Sequence, residues 1–126
     1  MRKTIKDLDE NDRPREKLIR HGADALTDEE LLAIIISTGT KDKNVVELSK
    51  EILDSFSYQE LSEIEVAELI HISGIKNAKA SSVVASLRLG KRIAQRVIEK
   101  EITKIEKSED IYNYFKNQLA DKKNEY

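Results

Sequence analysis

Residues 69–94 read LIHISGIKNAKASSVVASLRLGKRIA, and this stretch decides the fold. Leu69, Ile70 and Ile72 close a short helix. Ser73, Gly74 and Ile75 make a tight turn, and Asn77 opens a long helix. Ala80, Val83, Val84, Leu87 and Ala94 recur along one face of that helix. Leu89 and Ile93 fall on another side, which predicts a helix packed on two fronts at the centre of its domain. Gly74 supplies backbone angles that a β-carbon disfavours. The amides after it head a helix, where the dipole favours an anion. Between Gly74 and Ile98 stand Lys76, Lys79, Arg88, Lys91, Arg92 and Arg96, with no acid. An exposed turn of amides with lysines beside it is chemistry for phosphate, and nucleic acid supplies phosphates in a row. The competing reading is a helical hairpin whose basic residues are solvated surface.

The rest of the composition sets bounds. At 126 residues the chain has the length of one domain, with room for a fragment of a second. Four glycines and one proline leave few breakers, so helices are expected. There is no cysteine, hence no disulfide and no thiolate metal site. No apolar run reaches membrane-spanning length, and the first residues lack an apolar signal core. A cytoplasmic location is expected. Net charge is only −2, but it is unevenly spread. From Glu47 to Glu68 seven acids stand against Lys50 alone, and the next segment reverses sign. One small basic face implies weak, salt-sensitive, sequence-independent binding.

Taken in order, residues 1–12 read as a flexible N-terminus with Ile5 and Leu8 as anchors. Residues 13–22 read as a helix that Pro14 starts and Gly22 stops. Thr27 and Glu30 have capping-box spacing ahead of an apolar run ending at Ile36. That run has the look of a buried strand, and the cap decides for helix. Ser37-Thr38-Gly39-Thr40-Lys41-Asp42-Lys43 is a second glycine turn, followed by a helix over 44–56. The order of helix, glycine turn with lysines and helix echoes residues 69–94. The second turn reads as an ordinary polar loop that has the groups for a further phosphate contact. A short turn or helix covers 57–61, and a helix over 66–71 leads into the main turn. After Ala94 the long helix is expected to fray, with 99–107 as a linker. Ser108, Glu109 and Asp110 then cap a new helix with Ile111, Tyr112, Tyr114, Phe115 and Leu119 on its apolar face. His21 and His71 lie far apart and read as surface or packed residues.

Ile72, Gly74, Ile75 and Ala80 resemble the helix-hairpin-helix motif of DNA-binding and DNA-repair proteins. The second turn glycine of that motif is Lys76 here, whose side chain either crowds an approaching phosphate or supplies the contact through its ammonium. A wider pattern is more specific. Residues 13–18 (RPREKL), 22–33 (GADALTDEELLA), 38–41 (TGTK) and the hairpin together resemble the N-terminal region of the bacterial RadC family, named as DNA repair proteins. The resemblance covers nearly the whole chain. It implies an all-α domain over 13–98 of about five short helices, then the linker. Residues 108–126 would be the opening helix of a JAB/MPN metalloprotease-like domain that the chain does not contain. That domain holds zinc through a His-x-His motif and a later Asp, and neither pattern is present here. No metal, cofactor or catalytic residue is therefore expected in this chain.

What the resemblance implies instead is a non-catalytic DNA-binding module. Its contacts would come from Ser73, Gly74, Ile75, Lys76, Asn77, Lys79, Arg88, Lys91 and Arg92. The alternative is a protein-interaction or dimerisation module that uses Ile111, Tyr112, Tyr114 and Phe115. The layout also resembles the paired hairpins of DNA glycosylases. Those enzymes place a lysine where this chain has Ala78, and Lys79 is turned from that position by about 100°. They also use an aspartate for which residues 74–98 offer no acid, so glycosylase chemistry is not expected.

Overall fold

The computed structural model describes residues 13–120, with the side chains of Leu119 and Ala120 left out. The expected flexible N-terminus with Ile5 and Leu8, the placement of Leu119 on an apolar face and the polar residues 121–126 lie outside the described residues. Among the described residues there are helices and no strands, so the fold is all-α. The helices are α1 (Pro14–His21), α2 (Asp28–Ile36), α3 (Val45–Ser55), α4 (Tyr58–Ser62), α5 (Val66–Leu69) and α6 (Asn77–Ala120), with a 3-10 turn at Ala23–Ala25. The chain divides into two compact units, Met1–Leu89 and Gly90–Tyr126.

Local signals explain most of the helix boundaries in the first unit. Pro14 takes the first position of α1, and Gly22, at φ 84°, ends it. The Thr27–Glu30 capping box is formed. The Glu30 N–H donates to Thr27 Oγ1 at 3.2 Å, and the Thr27 N–H donates to Glu30 Oε1 at 2.9 Å. Asn44 and Glu47 start α3 in the same way, and Ser57 and Glu60 start α4. Each such cap is worth about 1 kcal/mol. The apolar end of α2 is helical because the cap sets its phase and three of its residues, Leu32, Ala33 and Ile36, are buried.

The core of this unit gathers those three with Val45, Leu48 and Ile52 of α3 and Leu61 and Ile64 around α4. Leu69, Ile72, Ile75, Ala80 and Val83, from α5, the turn and the start of α6, complete it. Leu48 and Ile52 are fully buried, so truncating either to Ala would cost roughly 2–5 kcal/mol. Ser49 is buried beside them, and its hydroxyl donates to the Val45 carbonyl at 2.8 Å. On the rim, Lys17 reaches both oxygens of Glu30 at 3.2 Å, tying α1 to α2. The Tyr58 hydroxyl donates to Asp28 Oδ2 at 2.6 Å, and this bond holds it above its usual range.

Three expectations change. Leu89 and Ile93 are 60% and 54% exposed, so α6 packs on one front, through Ala80 and Val83, with Val84 and Leu87 at the edge. The helix expected over 66–71 ends at Leu69, with Ile70 as its cap. The fray after Ala94 is absent, because α6 runs unbroken through residues 99–107 to Ala120. Ser108 is therefore not a helix start. The physical reason is that residues 91–120 contain no glycine or proline. Their alternating charges sit at helical spacing, as Glu101 and Lys104 show at 3.6 Å.

Burial alone would raise the pKa of Glu30. The Thr27 amide and the Lys17 ammonium outweigh it and hold the carboxyl below its ordinary 4.5. A carboxyl depressed in the folded state contributes stability above its unfolded value and loses it as pH falls through its folded one. Urea midpoints measured across pH should therefore show wild type ahead of Glu30→Gln at neutral pH. The gap should close as pH drops below about 4.5.

Candidate nucleic-acid interface

The candidate turn hangs from two buried anchors, Ile72 and Ile75. The Ile75 N–H donates to the Ile72 carbonyl at 3.0 Å, which closes the loop around Gly74. Gly74 has φ 92°. A β-carbon there would stand 2.3 Å from Thr40 Cγ2. Glycine is thus required twice, by backbone conformation and by the close approach of another loop.

That other loop is the second glycine turn. Ser37 opens it with φ 76° and ψ −50°, and the Thr38 N–H donates to the Ile36 carbonyl at 3.0 Å. This is a γ-turn of the rarer, strained hand. Thr40 then organises the loop, its hydroxyl accepting from the amides of Asp42 and Lys43 at 3.3 and 3.1 Å. A β-carbon on Gly39 would meet the Lys43 carbonyl oxygen at 2.3 Å. Lys79 Nζ donates to Thr38 Oγ1 at 2.7 Å. The two turns therefore touch at Gly74 and Thr40 and are pinned at Lys79 and Thr38. The two stretches share the order of helix, glycine turn and helix, but that order does not reveal that they meet.

The start of α6 differs chemically from the starts of α2 to α5. In those four helices a glutamate in the first turn, Glu30, Glu47, Glu60 or Glu68, accepts from the amide at the helix start. In α6 the Lys76 carbonyl accepts the first helical bond, from the Ala80 amide at 2.9 Å. Lys79 thus occupies the place of those glutamates, and the first turn has no acid. The amides of Asn77, Ala78 and Lys79 have no intrahelical acceptor. Among the described residues they make no other backbone hydrogen bond. Ser73, Lys76 and Asn77 are exposed around them.

The other candidate residues are placed differently. The Ile75 side chain is core and its amide is already hydrogen-bonded, so it holds the turn in shape. Arg88 lies about 16 Å along α6 from Asn77. Its guanidinium donates to the Ile64 carbonyl at 2.8 Å and meets Glu65 Oε2 at 3.4 Å. It is a tie between α6 and the loop after α4. Lys91 and Arg92 belong to the second unit. Lys43, in the second turn, pairs with Glu51. Among the described residues no group of three or more His, Asp or Glu is placed to hold a metal ion. Among them, too, no helix is long and apolar enough to cross a membrane.

Gly74→Ala should lower stability by about 2 kcal/mol from the positive φ and the Thr40 contact. Adding Thr40→Ser, which removes Cγ2 and keeps the hydroxyl, should restore only part of that loss in denaturant melts. Arg88→Ala should cost roughly 1–3 kcal/mol by leaving the Ile64 carbonyl unpaired.

Residues 5–81 match the family described as UPF0758 N-terminal. A UPF0758 protein of Pelodictyon phaeoclathratiforme is 39% identical over 123 residues, covering 97% of this chain and 54% of that protein. One from Methanosarcina mazei is 35% identical over 121 residues, covering 96% and 52%. One from Alkaliphilus oremlandii is 42% identical over 93 residues, covering 72% and 40%. The chain thus spans about half the length of the first two and less of the third. No solved structure matches it. The matched stretch takes in α1 to α5, both glycine turns and the start of α6, so this chain belongs to the UPF0758 family, of which it carries the N-terminal region.

Proposed function

We propose that this chain is a non-catalytic, sequence-independent DNA-binding module, and that the turn from Ser73 to Lys79 takes a backbone phosphate. The observation that carries this reading is the start of α6. Its leading amides have no intrahelical acceptor and no acid to cap them, and Lys76 and Lys79 flank them. Such a helix start is electropositive through its dipole and its side chains together. Phosphate contacts carry no base information, so binding of this kind is indifferent to sequence. The DNA-repair setting follows from the RadC resemblance and belongs to this proposal.

A second reading rests on the second unit. Ile111, Tyr112, Tyr114 and Phe115 are each about three-fifths exposed, an unusual aromatic surface to leave in water. In this reading the surface serves the part of the longer relatives that this chain does not span, a metal-dependent JAB/MPN-like hydrolase domain.

Labelled duplex and single-stranded oligonucleotides, followed by fluorescence anisotropy at two salt concentrations, test the main reading. Wild type should bind more weakly as salt rises. Lys76→Glu with Lys79→Glu should weaken binding by roughly tenfold or more and flatten the salt slope by about 0.9 for each duplex phosphate that is no longer neutralised. Unchanged affinity in the double variant would remove the turn from the interface.

A further inference from the structure

The second unit presents a face that suits a second copy of itself. From Lys91 onward, α6 carries a repeat with alternating steps of four and three residues: Lys91, Gln95, Ile98, Ile102, Ile105, Glu109 and Tyr112. That is the spacing of a two-helix seam. Ile98, Ile102 and Ile105 are 56%, 48% and 56% exposed, so the apolar centre of the seam faces solvent. A helix gains most of its stability from packing of its apolar face.

The seam is symmetric in sequence about Lys100. Ile98 and Ile102 stand two residues to either side of it, Gln95 and Ile105 five, and Lys91 and Glu109 nine. An antiparallel copy centred there stacks Ile98 on Ile102 twice and Gln95 on Ile105 twice. It closes each end with Lys91 against Glu109. Beside the seam, Arg92 of one copy comes opposite Glu106 of the other. Like charges meet only at Glu99 and Glu101 near the axis, and Glu101 already pairs with Lys104 on its own helix. A parallel pair in register would instead stack Lys91 on Lys91 and Glu109 on Glu109 in the seam. Like-charge juxtaposition disfavours that arrangement. We infer that residues 91–109 form a self-complementary antiparallel dimerisation helix, with a seam about 27 Å long. This inference is independent of phosphate binding.

Sedimentation of the full chain across a concentration series, with two sets of variants, tests it. Wild type should pass from one-chain to two-chain mass as concentration rises. Ile98→Glu with Ile102→Glu should abolish the two-chain species. Gln95→Leu, which sets an apolar side chain against Ile105, should shift dimerisation to lower concentration. The chain has no cysteine, so single-cysteine variants report orientation. A mixture of Gln95→Cys and Ile105→Cys should form a mixed disulfide on oxidation, while neither variant alone should cross-link. A chain that stays monomeric throughout overturns the inference. So does a dimer indifferent to Ile98→Glu with Ile102→Glu, and so does cross-linking of either cysteine variant with itself.

Discussion

The meeting of Gly74 with Thr40 is the constraint on which the first unit depends. It lets the α5–α6 turn sit directly against the α2–α3 turn, with the Thr40 methyl resting on the Gly74 backbone. That approach places Ile72 and Ile75 in the core beside Leu48 and brings Lys79 within reach of Thr38. The strained γ-turn at Ser37 serves the same approach. It ends α2 abruptly and aims Thr38 at α6. Strain of about 1–3 kcal/mol at such a residue persists only where its surroundings over-determine it, and here the α6 lysine and the Gly74 turn do so.

Charge divides the basic residues by task. Arg88 serves the fold, since its guanidinium satisfies a backbone carbonyl in the loop after α4. Lys17 and Lys43 pair with glutamates within the first unit. Lys76 and Lys79 stand at a helix start where every neighbouring helix has an acid. Among the described residues Lys79 bonds only a neutral hydroxyl, which leaves its charge uncompensated by that contact. The difference between Arg88 and Lys79 is thus one of partners, and composition does not separate them.

Helix starts were legible in the sequence because their signals are local. Thr27 with Glu30, Pro14 and Gly22 each act within a few residues of themselves. The core side of α6 was legible for the same reason, as Ala80 and Val83 repeat at helical spacing. Contacts distant in sequence were not. Nothing near Thr40 announces that its methyl will lie against Gly74, and nothing near Arg88 announces the Ile64 carbonyl. Apolar character at Leu89 and Ile93 does not bring burial, since single exposed apolar residues are common. Alternating charge over 99–107 resembles that of a solvated tether. At helical spacing the same charges support a helix.

The central claim, that amides at the start of α6 take a phosphate, is tested most directly by following backbone amide resonances during titration with a short oligonucleotide. The account predicts that the amides of Lys76, Asn77, Ala78 and Lys79 move first and furthest, with the Ile75 amide held by its bond to Ile72. Shifts confined to other helices, or no shifts at low salt, would contradict it.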